Sequence, residues 1–130
     1  MRVDPAAVLH SYLTGVPQLH DVMVSGSMVG RAKGQRSVIV EASGGYREMR
    51  ERLDRAEVTL HIYGPAQMAT SDLAHVVREL LLEGLPGQRA GGALVLDVAE
   101  VHMPFPLADE SSGEFRYVHA LSLYLIEASS

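Results

Sequence analysis

A strand followed at once by an amphipathic helix constrains this fold more than any other segment. Residues 56–63 read AEVTLHIY, which has the two-residue period of a β-strand with one buried face. Gly64 and Pro65 end that strand, and the pattern predicts a helix over residues 66–83. The apolar positions of the strand are Val58, Leu60 and Ile62. Those of the helix are Leu73, Val76, Val77, Leu80 and Leu81. The two apolar faces are expected to pack together.

The remaining segments predict a mixed α+β architecture. Asp4 and Pro5 supply the N-cap and first position of a helix over residues 5–14. Further strands are predicted near residues 22–24 and over residues 37–42, 93–102 and 115–127. The inward positions of the last two are expected to be Leu94, Leu96 and Val98, and then Phe115, Tyr117, His119, Leu121, Leu123 and Leu125. The order predicts one domain over residues 1–130: a single mixed, mostly antiparallel β-sheet with two helices packed on one face.

Glycines, prolines and charges interrupt the strands at three places. Ser43, Gly44 and Gly45 are expected to end the second strand, and the Arg- and Glu-rich stretch after them to form a short helix or an irregular excursion. Residues 103–114 are expected to form a solvated tip between the last two strands. Residues 30–36, with two glycines and three cations, predict an exposed loop.

These exposed segments supply the candidate partner contacts. The residues are charged and lie in or beside the loops: Arg31, Lys33, Arg36, Arg47, Arg50, Asp109 and Glu110. Replacing Arg31, Lys33 and Arg36 by Ala is expected to change stability by no more than about 0.5 kcal/mol per site.

Composition and charge limit the classes of function that are open to this chain. The 130 residues include no cysteine, so disulfides, cysteine-bound metals and cysteine nucleophiles are excluded. The net charge of −5 is unevenly distributed, with +3 over residues 31–55 and −7 over residues 56–130. Such a chain is a poor general nucleic-acid binder. Its start lacks the pattern of a signal peptide and no stretch is long and apolar enough for a membrane span, so a protein without membrane attachment is expected.

No catalytic or metal-binding pattern emerges. The common nucleotide-loop, nucleophile-elbow and zinc-helix motifs are missing from the sequence. The six histidines form no pair at ligand spacing, although His61, His102 and His119 fall on strands and can share one face. Asp109, Glu110 and Glu114 are expected to be solvated tip residues rather than an acid–base pair. The sequence therefore predicts no enzyme, no catalytic, cofactor-binding or metal-binding residue, and no cofactor.

As a whole the chain resembles the tail terminator proteins of long-tailed bacteriophages, also called tail completion or minor tail proteins. The resemblance lies in DPAAVLHSYL, in VMV followed by SVIVEA, in the strand–turn–helix of residues 57–84, and in the pair ALVLDVAEV and EFRYVHALSLYL joined through MPFPLAD. It covers nearly the whole chain as a pattern of elements, without a compact motif that assigns roles to single residues.

The resemblance implies a structural virion protein that forms a ring, commonly a hexamer. Such a ring caps the tail tube, ends its polymerisation and provides the surface to which the head or neck attaches. The implied partners are further copies of the chain, the major tail tube protein and a head-completion or stopper protein. DNA would pass through the lumen without specific binding. The implied location is the tail–neck junction of the virion, and the host cytoplasm during assembly.

Three other interpretations stay open at this level. The chain can be a different neck or head–tail connector subunit, which shares parts of the same pattern. It can be a small α+β ligand-binding domain or enzyme with a pocket between the helix of residues 66–83 and the sheet. It can also be a non-viral scaffold subunit that associates through the edges of its sheet.

Overall fold

The computed structural model describes residues 3–50 and 52–128 and contains two α-helices and one six-stranded sheet. Helix α1 spans Pro5–Thr14 and is followed by a short 3₁₀ turn at Pro17–Leu19. Helix α2 spans Gln67–Glu79 and continues into a π-helical turn at Leu80–Gly84. The strands are β1 (Met23–Ser25), β2 (Ser37–Met49), β3 (Leu53–Tyr63), β4 (Arg89–Ala90), β5 (Ala93–Pro106) and β6 (Arg116–Glu127). The predicted α+β class is confirmed.

The strands lie in the order β1-β2-β3-β6-β5-β4. Only β1 and β2 are parallel, and the other neighbours are antiparallel. The two short strands cover the sheet edges only in part: β1 pairs with residues 37–39 of β2, and β4 pairs with residues 93–94 of β5. Long stretches of β2 and β5 therefore form the outer edges of the sheet.

Both helices pack on the same face of the sheet. The strand face predicted from residues 56–63 is confirmed, because Val58, Leu60 and Ile62 are fully buried. Alternate residues of β6 from Tyr117 to Leu125 join them, as predicted. Helix α1 begins as its sequence dictates, with the Asp4 carboxylate accepting a hydrogen bond from the Ala6 N–H at 3.0 Å.

The residues of α2 that face the sheet are not all those predicted. Val76 is 41% exposed and Leu80 is half-buried, whereas Ala74 and Leu81 are fully buried. The buried row of α2 is Thr70, Ala74, Val77 and Leu81, an ordinary helical face that also includes Leu73. In the π-helical turn the Leu85 N–H donates to the Leu80 carbonyl five residues earlier, and the wider turn carries this face on to the fully buried Leu85.

Both predicted interruptions of the long strands are wrong. Strand β2 passes through Ser43, Gly44 and Gly45 to Met49, with β-bulges after Ala42 and after Arg47. No helix or irregular excursion follows, because residues 46–49 pair with β3 in a hairpin. Strand β5 likewise runs on to Pro106 through three irregularities in its pairing with β6.

The predicted inward positions of β5 are correct only at Val98. Ala93 and Val95 are buried before the first bulge, so Leu94 is only half-buried and Leu96 is 47% exposed. The bulge then shifts the two-residue alternation, and Val98 is buried as predicted. At the start of the returning strand, Phe115 is 46% exposed and lies outside the core as well.

Candidate partner-binding surface

The seven predicted contact residues divide into two groups. Five have side chains at the surface: Lys33, Arg36, Arg47, Arg50 and Glu110. Arg36 pairs with Asp21 at 2.7 Å and Arg47 with Asp54 at 3.1 Å. The expected exposure of Arg31 and Asp109 is wrong, because both side chains are engaged in a buried polar network.

Arg31 and Glu114 form a buried ion pair. The side chains are only 2% and 6% exposed, and the guanidinium donates to both carboxylate oxygens at 2.7 and 2.8 Å. Arg31 also donates to the Gln35 carbonyl at 2.9 Å and stacks on the Tyr63 ring with 4.3 Å to the ring centre. The hydrogen bonds from Arg31 hold the pKa of the Glu114 carboxyl below its usual range. Glu114 is therefore a buried residue that is hydrogen-bonded to the loop containing Arg31, rather than a solvated tip residue.

Asp109 anchors the other side of the same network. Its carboxylate accepts hydrogen bonds from the Ser111 hydroxyl and the Tyr63 hydroxyl, both at 2.7 Å. These bonds hold the pKa of Asp109 well below its usual range, whereas burial raises the pKa of Tyr63. The residues at the tip are thus ordered by ionic and polar contacts, contrary to the expectation of a solvated tip.

The network, here called the tip clamp (Arg31, Tyr63, Asp109, Ser111 and Glu114), ties two distant segments together. It joins the loop of residues 26–36 to the tip of residues 107–115, and the Gly34 N–H adds a hydrogen bond to Glu114 at 3.1 Å. The two apolar side chains that flank it, Leu107 and Phe115, are 47% and 46% exposed. The clamp therefore presents exposed apolar side chains on an ordered support.

A second polar cluster lies under α2. The fully buried His119 donates from Nε2 to Glu100 at 2.8 Å, and Glu100 also accepts two hydrogen bonds from Arg78 of α2 at 2.7 and 2.8 Å. Nδ1 of His119 is buried without a hydrogen-bond partner. Burial lowers the pKa of His119, since protonation would place an unpaired N–H at that atom.

His119 is expected to make folding stability fall as the pH decreases through about 6.5, the value of an unfolded histidine. The unfolded chain binds this proton more readily than the folded chain, whose pKa is lowered, so acid favours unfolding. Thermal unfolding followed between about pH 8 and pH 5 measures the slope. His119→Gln, although less stable, is expected to lose that part of the slope, whereas the exposed control His10→Gln retains it. Equal slopes in all three proteins would contradict the assignment.

The three strand histidines do not share a face. His119 points to the helices, while His61 lies on the opposite face, 3.2 Å from Glu41. Among the described residues, no group of three or more His, Asp or Glu side chains is arranged to hold a metal ion. Within the same ranges, no helix is long and apolar enough to cross a membrane. Between α2 and β6 an open cleft of about 350 Å³ is lined by Gln67, Met68, Ser71 and Tyr117.

The sheet face opposite the helices has a centre of small side chains. In the register of the sheet, Thr59 of β3 lies opposite Ala120 of β6, and Ser122 lies opposite Ala99 of β5. One end of this row is aromatic and charged, with Arg55 stacked on the Tyr46 ring at 5.3 Å from the ring centre. Ile39 and Val118 are buried here but do not belong to the core cluster between helices and sheet.

The β5 edge, residues 96–106, is the most apolar exposed segment. The residues left unmatched by its bulges include Leu96, Val101 and Met103, which are 47%, 47% and 53% exposed. Phe105 follows at 41%. Sequence reasoning missed this surface because it assigned Leu96 to the core and residues 103–114 to a solvated loop. The available signal was an apolar pattern that breaks its two-residue period at residues 95–98.

No protein-family model matches the chain, and no curated protein sequence is significantly similar to it.

Proposed function

We propose that the chain is a structural virion protein of a long-tailed bacteriophage, a tail terminator that forms a ring on the tail tube. In this role it ends tube polymerisation and offers the surface on which the head or neck docks. The proposal starts from the resemblance of the sequence to that family. The structural observation that supports it best is the β5 edge, an ordered row of exposed apolar side chains. Soluble monomers rarely expose such rows without a partner.

Other features are consistent with this role. A sheet that carries both helices on one face leaves the other face available to neighbouring subunits or to a lumen. The net charge of −5 suits a channel through which DNA passes without binding. The tip clamp holds Leu107 and Phe115 in place, so a partner that docks there meets a surface already ordered before binding.

Electron microscopy of phage particles tests the proposal. In a phage whose own copy of the gene is deleted, we expect tails of uncontrolled length that fail to join heads. Supplying the wild-type chain is expected to restore uniform tails and to add a ring of density at the head-proximal end of the tube. A tagged chain found elsewhere in the neck would favour the connector interpretation. Normal tails in the deletion strain would contradict the proposed function outright.

A further inference from the structure

The sheet has two open edges that differ in sequence and position. The β2 edge, residues 40–49, begins where β1 ends, and its residues from Glu41 to Met49 are exposed. The β5 edge begins beyond the two residues covered by β4. Since β2 and β5 are at opposite sides of the sheet, one molecule presents two different surfaces that face away from each other.

The exposed charges beside the two edges differ in sign. Residues 90–115, which include the β5 edge, contain five acidic residues and no Lys or Arg; Asp109 and Glu114 are buried in the tip clamp and Glu100 pairs with Arg78. The β2 edge itself carries both signs, and the cationic charge on this side lies in the turn that follows the strand. Arg50 and Arg52, in the turn after β2, are exposed and form no ion pair with any residue in the ranges that the structure describes. On the β5 side, Asp97 and Glu110 are exposed.

The two edges also match in apolar character. The β5 edge exposes Leu96, Val101, Met103 and Phe105, and the β2 edge exposes Tyr46 and Met49 at 58% and 53%. Bulges on both strands hinder a continuous backbone ladder between two molecules, as bulges do on other sheet edges. The same bulges project side chains outward, so contact through side chains is favoured instead.

We propose that copies of this chain associate head to tail, with the β5 edge of one molecule docked against the β2 edge of the next. The contact is heterologous, so it continues from copy to copy and closes into a ring where the rotation permits. A symmetric dimer is disfavoured, because two β5 edges would supply no cation to the exposed Asp97, and two β2 edges would leave the apolar β5 edges uncovered. The inference names the subunit interface of the proposed ring and in that respect rests on the proposed function.

Cysteine cross-linking tests the contact, because the chain has no cysteine of its own. The registers place Met49 of β2 and Leu96 of β5 at the same end of the sheet. Met49→Cys and Leu96→Cys proteins, each oxidised alone, are expected to give no covalent dimers. Mixed before oxidation, they are expected to give covalent dimers, and a chain carrying both substitutions is expected to give a ladder of multimers. Met68→Cys, on the 78% exposed Met68 of α2, is the matched control and is expected to give no dimer with Leu96→Cys.

Each outcome of this experiment is informative. Dimers formed by either single variant alone would indicate a symmetric contact and overturn the proposal. Absence of cross-links in the mixture and in the double variant would also overturn it. The same holds if Met68→Cys cross-links as well as Met49→Cys, because the contact would then be unspecific.

Charge and apolar variants give a second measurement. Val101→Asp, and separately Arg50→Glu with Arg52→Glu, each made in the otherwise wild-type chain, are expected to abolish association when it is followed by sedimentation velocity. Met68→Asp is the control and is expected to leave sedimentation unchanged. Unchanged sedimentation of all variants relative to an associating wild type would overturn the proposal. Failure of the proposed function would be recognised separately. In that case the cross-links would form, but phage tails would still assemble normally after the gene for this chain is deleted.

Discussion

Arg31→Ala is expected to destabilise the folded protein by about 3–5 kcal/mol, the cost of removing one partner from a buried ion pair. Without the guanidinium, the Glu114 carboxylate would lie 6% exposed with only the Gly34 N–H and the nearby Ser112 hydroxyl to stabilise its charge. The Tyr63 ring would lose the cation stacked on it. Chemical denaturation followed by circular dichroism measures the change in the free energy of unfolding.

Lys33→Ala is the matched control, since Lys33 lies two positions along the same loop and is exposed. We expect it to change stability by no more than about 0.5 kcal/mol. Arg31→Met combined with Glu114→Leu is expected to be more stable than Arg31→Ala alone, because neither residue then leaves a buried charge unpaired. Equal stability of the Arg31→Ala and Lys33→Ala proteins would show that the tip clamp contributes nothing to folding.

This result would reverse what the loop sequence indicates. Glycines and cations in residues 30–36 predict an exposed segment, and for Lys33 that prediction agrees with the structure. Arg31 differs because its partner lies 83 positions away, and no local pattern connects the two residues. Pairing over such a distance depends on how the whole sheet brings the loop and the tip together.

The sequence predicted the fold well wherever an element is determined by residues that are close together in the chain. Helix α1 begins and ends at the predicted residues, because its N-cap, its first-turn proline and its terminal glycine act within a few positions. The alternation in residues 58–62 identified the central strand, since both of its neighbours pair with it regularly there. The α+β class followed from these elements and their order.

Glycine and proline were misinterpreted where the sheet accommodates them. Gly44 and Gly45 have φ values of +129° and +123°, and a Cβ on Gly45 would overlap the Arg55 carbonyl oxygen. Both glycines therefore permit a bulge and a close approach of two strands, and the strand does not end there. Pro104 and Pro106 are tolerated in β5 because this strand has no neighbour beyond β4 on its outer side.

Leu81→Ala is expected to cost roughly 2–5 kcal/mol of stability, the usual range for a fully buried leucine that leaves a cavity. Leu81 is 0% exposed and belongs to the core formed by α2, the π-helical turn and the central strands. Helical periodicity alone assigns this importance to Leu80 as well. In the structure Leu80 is half-buried, and its carbonyl accepts a hydrogen bond from the Tyr12 hydroxyl at 3.1 Å.

Val76→Ala is the matched control, because Val76 belongs to the same apolar stripe in the sequence but is 41% exposed. It is expected to change stability by no more than about 0.5 kcal/mol, as surface substitutions usually do. Thermal and urea unfolding of both variants measure the difference. If Val76→Ala were as destabilising as Leu81→Ala, the stripe that the sequence predicts would be the face of α2 that enters the core. The observed face, in which Ala74 rather than Val76 packs beside Val77 and Leu81, would then be contradicted.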